Sequence, residues 1–268
     1  MKREFPDSLL CETEEIVRRA GRLFFEKQYS ENVYLKGRAD FVTDADYCVQ
    51  EFLKGELGSL LPDIEFMSEE KDNSDLDFDR PVWILDPVDG TTNLIHGFCH
   101  STISLALEDC GEIRMGIVFD PYHDEMFTAV KDGGAFLNGE RISVPPVAGL
   151  EESLVSVGTA PGCREEAAHT FRIMRMMYDV CHDIRRIGSA SLEMCYVAAG
   201  RLNGYIENGL KPWDYAAASI IVREAGGDVR TFDGGEISLR ERCGIVASGA
   251  RLMPQLLDVI ERARRDLY

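Results

Sequence analysis

The sequence has no stretch of about eighteen consecutive apolar residues, so it offers no transmembrane helix. Its start, Met1-Lys2-Arg3-Glu4-Phe5-Pro6, leads into a charged amphipathic segment and not into the apolar core of a secretory leader; a cytoplasmic protein is expected. The eight cysteines (Cys11, Cys48, Cys99, Cys110, Cys163, Cys181, Cys195 and Cys243) include no Cys-x-x-Cys pair. That leaves no zinc or dithiol motif, and reduced thiols are expected. Positive charge is scarce: 29 Lys and Arg stand against 47 Asp and Glu, a net charge of −18. Such a chain has no broad nucleic-acid footprint and no affinity for an acidic membrane surface. It also repels an anionic substrate unless bound cations reverse the local field. No repeat, low-complexity segment or clear linker divides the 268 residues, a length that fits one domain or two closely packed lobes.

What the sequence does contain is organised around Val82-Trp83-Ile84-Leu85-Asp86-Pro87-Val88-Asp89-Gly90-Thr91-Thr92-Asn93. The four apolar residues read as a buried strand, and Pro87, with no N–H, is expected to end it. Asp89-Gly90 signals a turn, and Thr91-Thr92-Asn93 can begin a helix. Two carboxylates three residues apart at a turn, with the Val88 carbonyl between them, can share hard divalent cations. The amides of Gly90, Thr91 and Thr92 at a helix N-terminus suit a phosphate. Metal and phosphate in one corner point to phosphoryl transfer or phosphate-ester hydrolysis. Taken singly, Asp89 reads more readily as a helix cap and Asp86 as a solvated strand end; the whole string is what points to the site.

Elsewhere the pattern predicts a helix over 9–25, a loop over Tyr29–Asp40 containing Lys36-Gly37, and a second helix begun by Thr43-Asp44-Ala45-Asp46 and closed by Pro62. Ile64–Met67 reads as a strand running into Ser68-Glu69-Glu70. The acidic loop from Asp72 to Asp79 lacks EF-hand spacing and reads as solvated. Residues 101–108, 112–119 and 125–130 read as successive antiparallel strands, and Asn138-Gly139 as a hairpin turn. His96, His100 and His123 show no metal-ligand spacing and read as structural. Beyond about residue 148 strands and helices alternate: strands at 154–157, 184–187 and 203–207, helices at 165–177 and 189–199. In Trp213-Asp214-Tyr215-Ala216 Asp214 reads as the N-cap of a core helix stopped by Gly226-Gly227. A strand at 245–248 and a terminal helix at 250–265 complete an α+β chain, with an N-terminal lobe over 1–147 and a C-terminal α/β lobe over 148–268.

The two segments around Asp86-Asp89 and Trp213-Asp214 together resemble the signatures of the inositol monophosphatase family, and the resemblance runs from the first helix to the last. It implies a layered α-β-α-β-α sandwich of the inositol monophosphatase and fructose-1,6-bisphosphatase type. It implies two to three Mg²⁺ ions per site: Asp86 bridging two, Glu69 and the Val88 carbonyl completing the first shell, Asp89 and Asp214 holding the second, and Glu69 helping with a third. Thr91 would orient the attacking water and Asp46 would accept its hydrogen bond. Gly90, Thr91 and Thr92 would hold the phosphate. Gly188, Ser189, Ala190 and Glu207 would line the sugar side, and Lys36 matches a loop lysine near the metals. The implied reaction is in-line attack of a metal-activated water on inositol 1-phosphate, with lithium inhibition and a homodimer.

Two departures bear on the substrate: Ser68 precedes Glu69 where inositol monophosphatases usually carry glycine, and Lys71 follows the acidic pair; branches acting on sugar bisphosphates or nucleotides also tolerate the serine. Against those branches, Thr92 stands where nucleotide-phosphate and histidinol-phosphate members commonly carry lysine, and Lys211-Pro212-Trp213-Asp214 resembles the inositol branch. Fructose 1,6-bisphosphate, a nucleotide 3′-phosphate and histidinol phosphate are therefore alternative substrates. A second phosphate would need cations, for which Arg164, Arg172, Arg175, Arg185 and Arg186 are candidates. An alternative of another class is a non-catalytic partner-binding or regulatory protein.

Overall fold

The computed structural model describes residues 5–6, 8–26, 32–37 and 40–265, the side chains of 36, 37 and 40 excepted. Helix α1 (Leu9–Gly21) buries Leu9, Ile16, Val17 and Ala20 and continues into a 3-10 turn, Arg22–Phe25. Strands β1 (Val33–Gly37) and β2 (Asp40–Thr43) form an antiparallel hairpin. Helix α2 (Asp44–Leu60) opens on a capping box in which the Thr43 N–H donates to Asp46 Oδ2 at 2.8 Å.

Seven strands then make the first sheet in chain order: β3 (Glu65–Ser68), β4 (Val82–Asp89), β5 (Thr102–Asp109), β6 (Glu112–Asp120), β7 (Glu125–Val130), β8 (Gly134–Leu137) and β9 (Glu140–Ile142). Only β3 and β4 pair in parallel. A short helix, α3 (Thr91–Ile95), follows β4. The second sheet, in the spatial order β11-β10-β12-β14-β13, is built from β10 (Leu154–Val157), β11 (Asp183–Arg185), β12 (Gly204–Leu210), β13 (Gly227–Thr231) and β14 (Cys243–Gly249). The remaining helices are α4 (Ala167–Val180), α5 (Ala190–Ala198), α6 (Pro212–Glu224) and α7 (Met253–Arg265).

These elements stack as five layers, α-β-α-β-α. Helices α1 and α2 cover one face of the first sheet, α5 and α6 fill the space between the sheets, and α4 and α7 cover the outer face of the second. Because both faces of the first sheet are covered, alternate residues serve different cores. Trp83 and Leu85 pack towards α1 and α2, whereas Val82 and Ile84 pack towards the central helices. This is why β4 reads as an unbroken apolar run. Helix α6 lies close on the sheet: a Cβ at Gly116 would stand 2.5 Å from the Ala217 carbonyl oxygen.

Three expectations are corrected, and one strand is found that the sequence did not announce. The segment expected as a loop carries the β1–β2 hairpin; its apolar residues Val33, Tyr34 and Leu35 are exposed, so no buried face gives the strand away. Tyr29, Ser30 and Glu31 of that segment lie outside the described residues. Strand β4 does not end at Pro87. Asp86 pairs with Ser104 and Asp89 with Thr102, and Pro87-Val88 bulge out between them, which places the residue without an N–H where no ladder bond is required. Asp214 is the third residue of α6 and not its cap; Lys211 holds that position, and its N–H donates to Asp214 Oδ2 at 2.7 Å. Strand β13 buries only Val229, too little pattern to be read.

Candidate active site

The β4 bulge sets the two aspartates of the turn. The Val88 N–H, freed from the ladder, donates to Asp86 Oδ1 at 3.0 Å. Gly90 then takes φ +91, the left-handed conformation that favours glycine, and caps α3. A Cβ there would crowd the His100 and Gly188 carbonyls at 3.1 and 3.2 Å. As first-turn residues of α3, Thr91 and Thr92 have amides with no intrahelical acceptor. The Thr91 hydroxyl lies 3.0 Å from the Val88 carbonyl and 3.2 Å from Asp46 Oδ1. Asp46 is fully buried, its other oxygen engaged by the Thr43 N–H and hydroxyl.

Asp89 is held from across the molecule. Its Oδ2 accepts from the Ser189 hydroxyl (2.7 Å), the Ser191 N–H (2.7 Å) and the Ser191 hydroxyl (2.5 Å). Among the described residues its Oδ1 accepts only the Ala190 N–H, at 3.2 Å, and keeps lone-pair capacity for another partner. Glu207 on β12 accepts from the Ala160 N–H at 2.7 Å and from the Tyr205 hydroxyl.

One cleft of about 200 Å³ gathers these groups. Glu69, Asp86, Val88, Asp89, Gly90, Thr91, Thr92, Gly188, Ala190, Glu207 and Asp214 all line it. Asp46 and Ser189 stand behind the wall, acting through Thr91 and Asp89. Lys36 has its backbone in β1 and its side chain outside the described residues. Of the five candidate arginines only Arg186 lines the cleft; Arg175 pairs with Asp179 along α4 and Arg185 with Asp183. Lys211 and Arg242, which sequence reasoning missed, line it too. Nothing local marks Arg242, which arrives on the segment before β14. A larger cleft of about 930 Å³ opens beside α4 and α7, away from the four acids, and shares Cys163, Gly209 and Arg242 with the first.

The acids load the cleft with like charge. Asp86 is pushed well above the carboxylate range, first by burial, then by the charges of Glu69, Asp89, Asp214 and Asp46. Asp214, partly exposed on the cleft wall, is likewise pushed well above, by loss of hydration and then by Glu69. Asp89 is raised by burial against its four hydrogen bonds. Neither Asp86 nor Asp214 forms a salt bridge among the described residues.

Among the described residues no three His, Cys, Asp or Glu side chains converge into a ready-built metal cage. The fit to a metal therefore rests on donor chemistry. The donors are all oxygens, they repel one another, and Asp86 and Asp89 among them are buried from water. Hard divalent cations relieve that arrangement, and Mg²⁺ commonly binds through few protein carboxylates while keeping waters. The residues fit such ions.

Comparison with known proteins identifies the family and the fold. Residues 7–265 match the model of the inositol monophosphatase family. An inositol-1-monophosphatase of Rhizobium meliloti (strain 1021) is 40% identical over 231 residues, 86% of each chain. Nus factor SuhB of Pasteurella multocida (strain Pm70) is 35% identical over 257 residues, 94% of this chain and 95% of its own. Among solved structures, Thermotoga maritima IMPase superposes with a TM-score of 0.89 at 33% identity, covering 97% of this chain and 100% of that one.

Proposed function

The chain belongs to the inositol monophosphatase family of phosphatases, and we propose that it hydrolyses inositol 1-phosphate and related myo-inositol monophosphates to inositol and phosphate. The observation that carries this reading is the joining, in one cleft, of the Asp86–Thr92 turn with Glu69, Asp214 and the polar wall at Glu207. The family is metal-dependent. Here Glu69, Asp86 and the Val88 carbonyl would hold one Mg²⁺, Asp86, Asp89 and Asp214 a second, and Glu69 would help with a third. Bound there, the ions supply charge neutralisation and a lowered pKa for water.

The chain's own residues do the rest. The Thr91 hydroxyl orients the attacking water and passes its hydrogen bond to Asp46, which its bonds to Thr43 keep in place. The Gly90, Thr91 and Thr92 amides hold the phosphoryl oxygens. Glu207 accepts from polyol hydroxyls, and the Gly188–Ala190 turn closes the sugar side. Residues 1–147 and 148–268 act as two lobes of one unit. The protein works as a lithium-sensitive homodimer in the cytoplasm, on a small polyol phosphate and not on nucleic acid or membrane.

A second reading within the same chemistry is favoured by Arg186, Lys211 and Arg242. Lys211 Nζ sits 4.8 Å over the Trp213 ring and Arg242 donates to Cys163 Sγ at 2.7 Å, so neither contact neutralises the cation. These cations suit an ester whose leaving group bears a second anion. Phosphate release from inositol 1-phosphate, fructose 1,6-bisphosphate, 3′-phosphoadenosine 5′-phosphate and histidinol phosphate, with and without Mg²⁺, decides between them. Preference for inositol 1-phosphate is expected. Preference for a bisphosphate, reduced in Arg242→Ala, favours the second reading. No Mg²⁺-dependent release from any of the four contradicts both.

A further inference from the structure

Glu193 is a fully buried acid that the chemistry above leaves unused. It sits in the first turns of α5, its N–H donating to the Ser189 carbonyl at 3.0 Å. Its Oε1 accepts from the Ile187 N–H at 2.9 Å and from the Ser156 hydroxyl, and its Oε2 accepts from the Gly188 N–H at 3.0 Å. Two backbone donors and a hydroxyl therefore converge on it. A carboxylate satisfies all three, whereas an amide of the same size turns its NH₂ against one of the N–H groups. Burial raises the Glu193 pKa, opposed by these three hydrogen bonds and the nearby Arg186 charge.

What Glu193 fastens is the turn that grips Asp89. Gly188 lies at φ +97, so the chain bends sharply between Ile187 and Ser189. From there Ser189, Ala190 and Ser191 deliver all four hydrogen bonds to the Asp89 carboxylate. Asn93 Nδ2 adds a bond to the Ile187 carbonyl at 3.1 Å, tying the same turn to α3. Ser156 lies on β10 and Asp89 on β4, so the contacts run from one sheet to the other through Glu193 and this turn.

On the reading of Asp89 as a metal ligand, we propose that Glu193 is a positioning residue, fixing the 187–189 turn so that Ser189, Ala190 and Ser191 hold Asp89 in one orientation towards the metal. Residues that orient ligands through hydrogen bonds typically affect metal affinity about 10–100-fold, and Glu193 acts one step further out, so a loss of about 10-fold is expected.

The test is calorimetric titration of the metal-free protein with Mg²⁺ for the wild type, Glu193→Gln, Ser156→Ala and Asp89→Asn, with melting curves on each. The positioning role gives Glu193→Gln a cooperative melt, a Mg²⁺ affinity about 10-fold weaker and a raised KM. Ser156→Ala keeps both backbone bonds and loses several-fold less. Wild-type Mg²⁺ affinity in folded Glu193→Gln, with affinity lost in Asp89→Asn, overturns the positioning role and leaves the metal reading intact. Wild-type affinity in Asp89→Asn overturns the metal reading and the inference with it. If Glu193→Gln does not fold, Ser156→Ala decides, and an unchanged affinity there overturns the inference.

Discussion

At the scale of the residue, Asp89 and Glu207 show how differently two acids of one cleft can be held. Asp89 has four donors and Glu207 two. Burial, with the charges of Glu193 and Asp89 adding to it, pushes Glu207 up from 4.5 to about 7 against its two hydrogen bonds. A carboxyl raised on folding stabilises the native state fully below its unfolded pKa and loses that contribution as pH rises through the folded value. For Glu207 the window runs from about 4.5 to about 7. In the metal-free protein, Glu207→Gln should therefore become more stable relative to the wild type as pH rises through this window, levelling off above it. The gain should reach about 3 kcal/mol, since each unit of pKa difference is worth about 1.4 kcal/mol. Urea unfolding of both proteins at pH 5, 6, 7 and 8 measures the difference. A constant difference across that range would show that the charge on Glu207 carries no folding penalty.

At the scale of the element, the site depends on how closely α6 and α5 sit against the sheets. Gly116 is the contact that sets α6, because even a methyl group would meet the Ala217 carbonyl at 2.5 Å. Gly116→Ala should destabilise by about 1–3 kcal/mol, the usual range for forcing extra atoms into a packed interior. In urea this appears as a lowered midpoint at unchanged slope; an unchanged midpoint would mean that the helix yields freely. Elements of this kind differ in how far the sequence betrays them. Val82–Leu85, the Asn138-Gly139 turn (φ 51 and 81) and the apolar stripe of α2 were legible because their causes are local. Asp86 and Asp89 were legible as a cation-binding pair from the turn that carries them, Glu69 and Asp214 only through the family resemblance, and all four line one cleft. The β4 bulge was misread because Pro87 looks like a strand end when its partner strand is unknown. Ser191 and Glu193 gave no signal at all. Ser191 grips Asp89 from 102 positions away, and the donors that converge on the carboxylate at 193 include Ser156 on β10, 37 positions away.

At the scale of the whole molecule, five layers bring together acids from different places: Glu69, Asp86 and Asp89 at the end of the first sheet, Asp214 at the start of α6 and Glu207 on the second sheet. Residue Asp86 stands between them, its pKa raised by the charges of Glu69, Asp89, Asp214 and Asp46 together. A chain of net charge −18 that hydrolyses an anionic ester must reverse the field at this point, and divalent cations are the means its donors fit. The measurement that bears most directly on this is Mg²⁺-dependent phosphate release from inositol 1-phosphate by the wild type and by Asp86→Asn, both after removal of bound metal. On the proposed role of Asp86, which would hold two ions, its loss should exceed the 10–100-fold cost of losing a ligand's supporting residue, so a fall of more than about 100-fold is predicted, with the melting transition retained. Release by Asp86→Asn at the wild-type rate, or by the wild type without any divalent cation, would contradict the account.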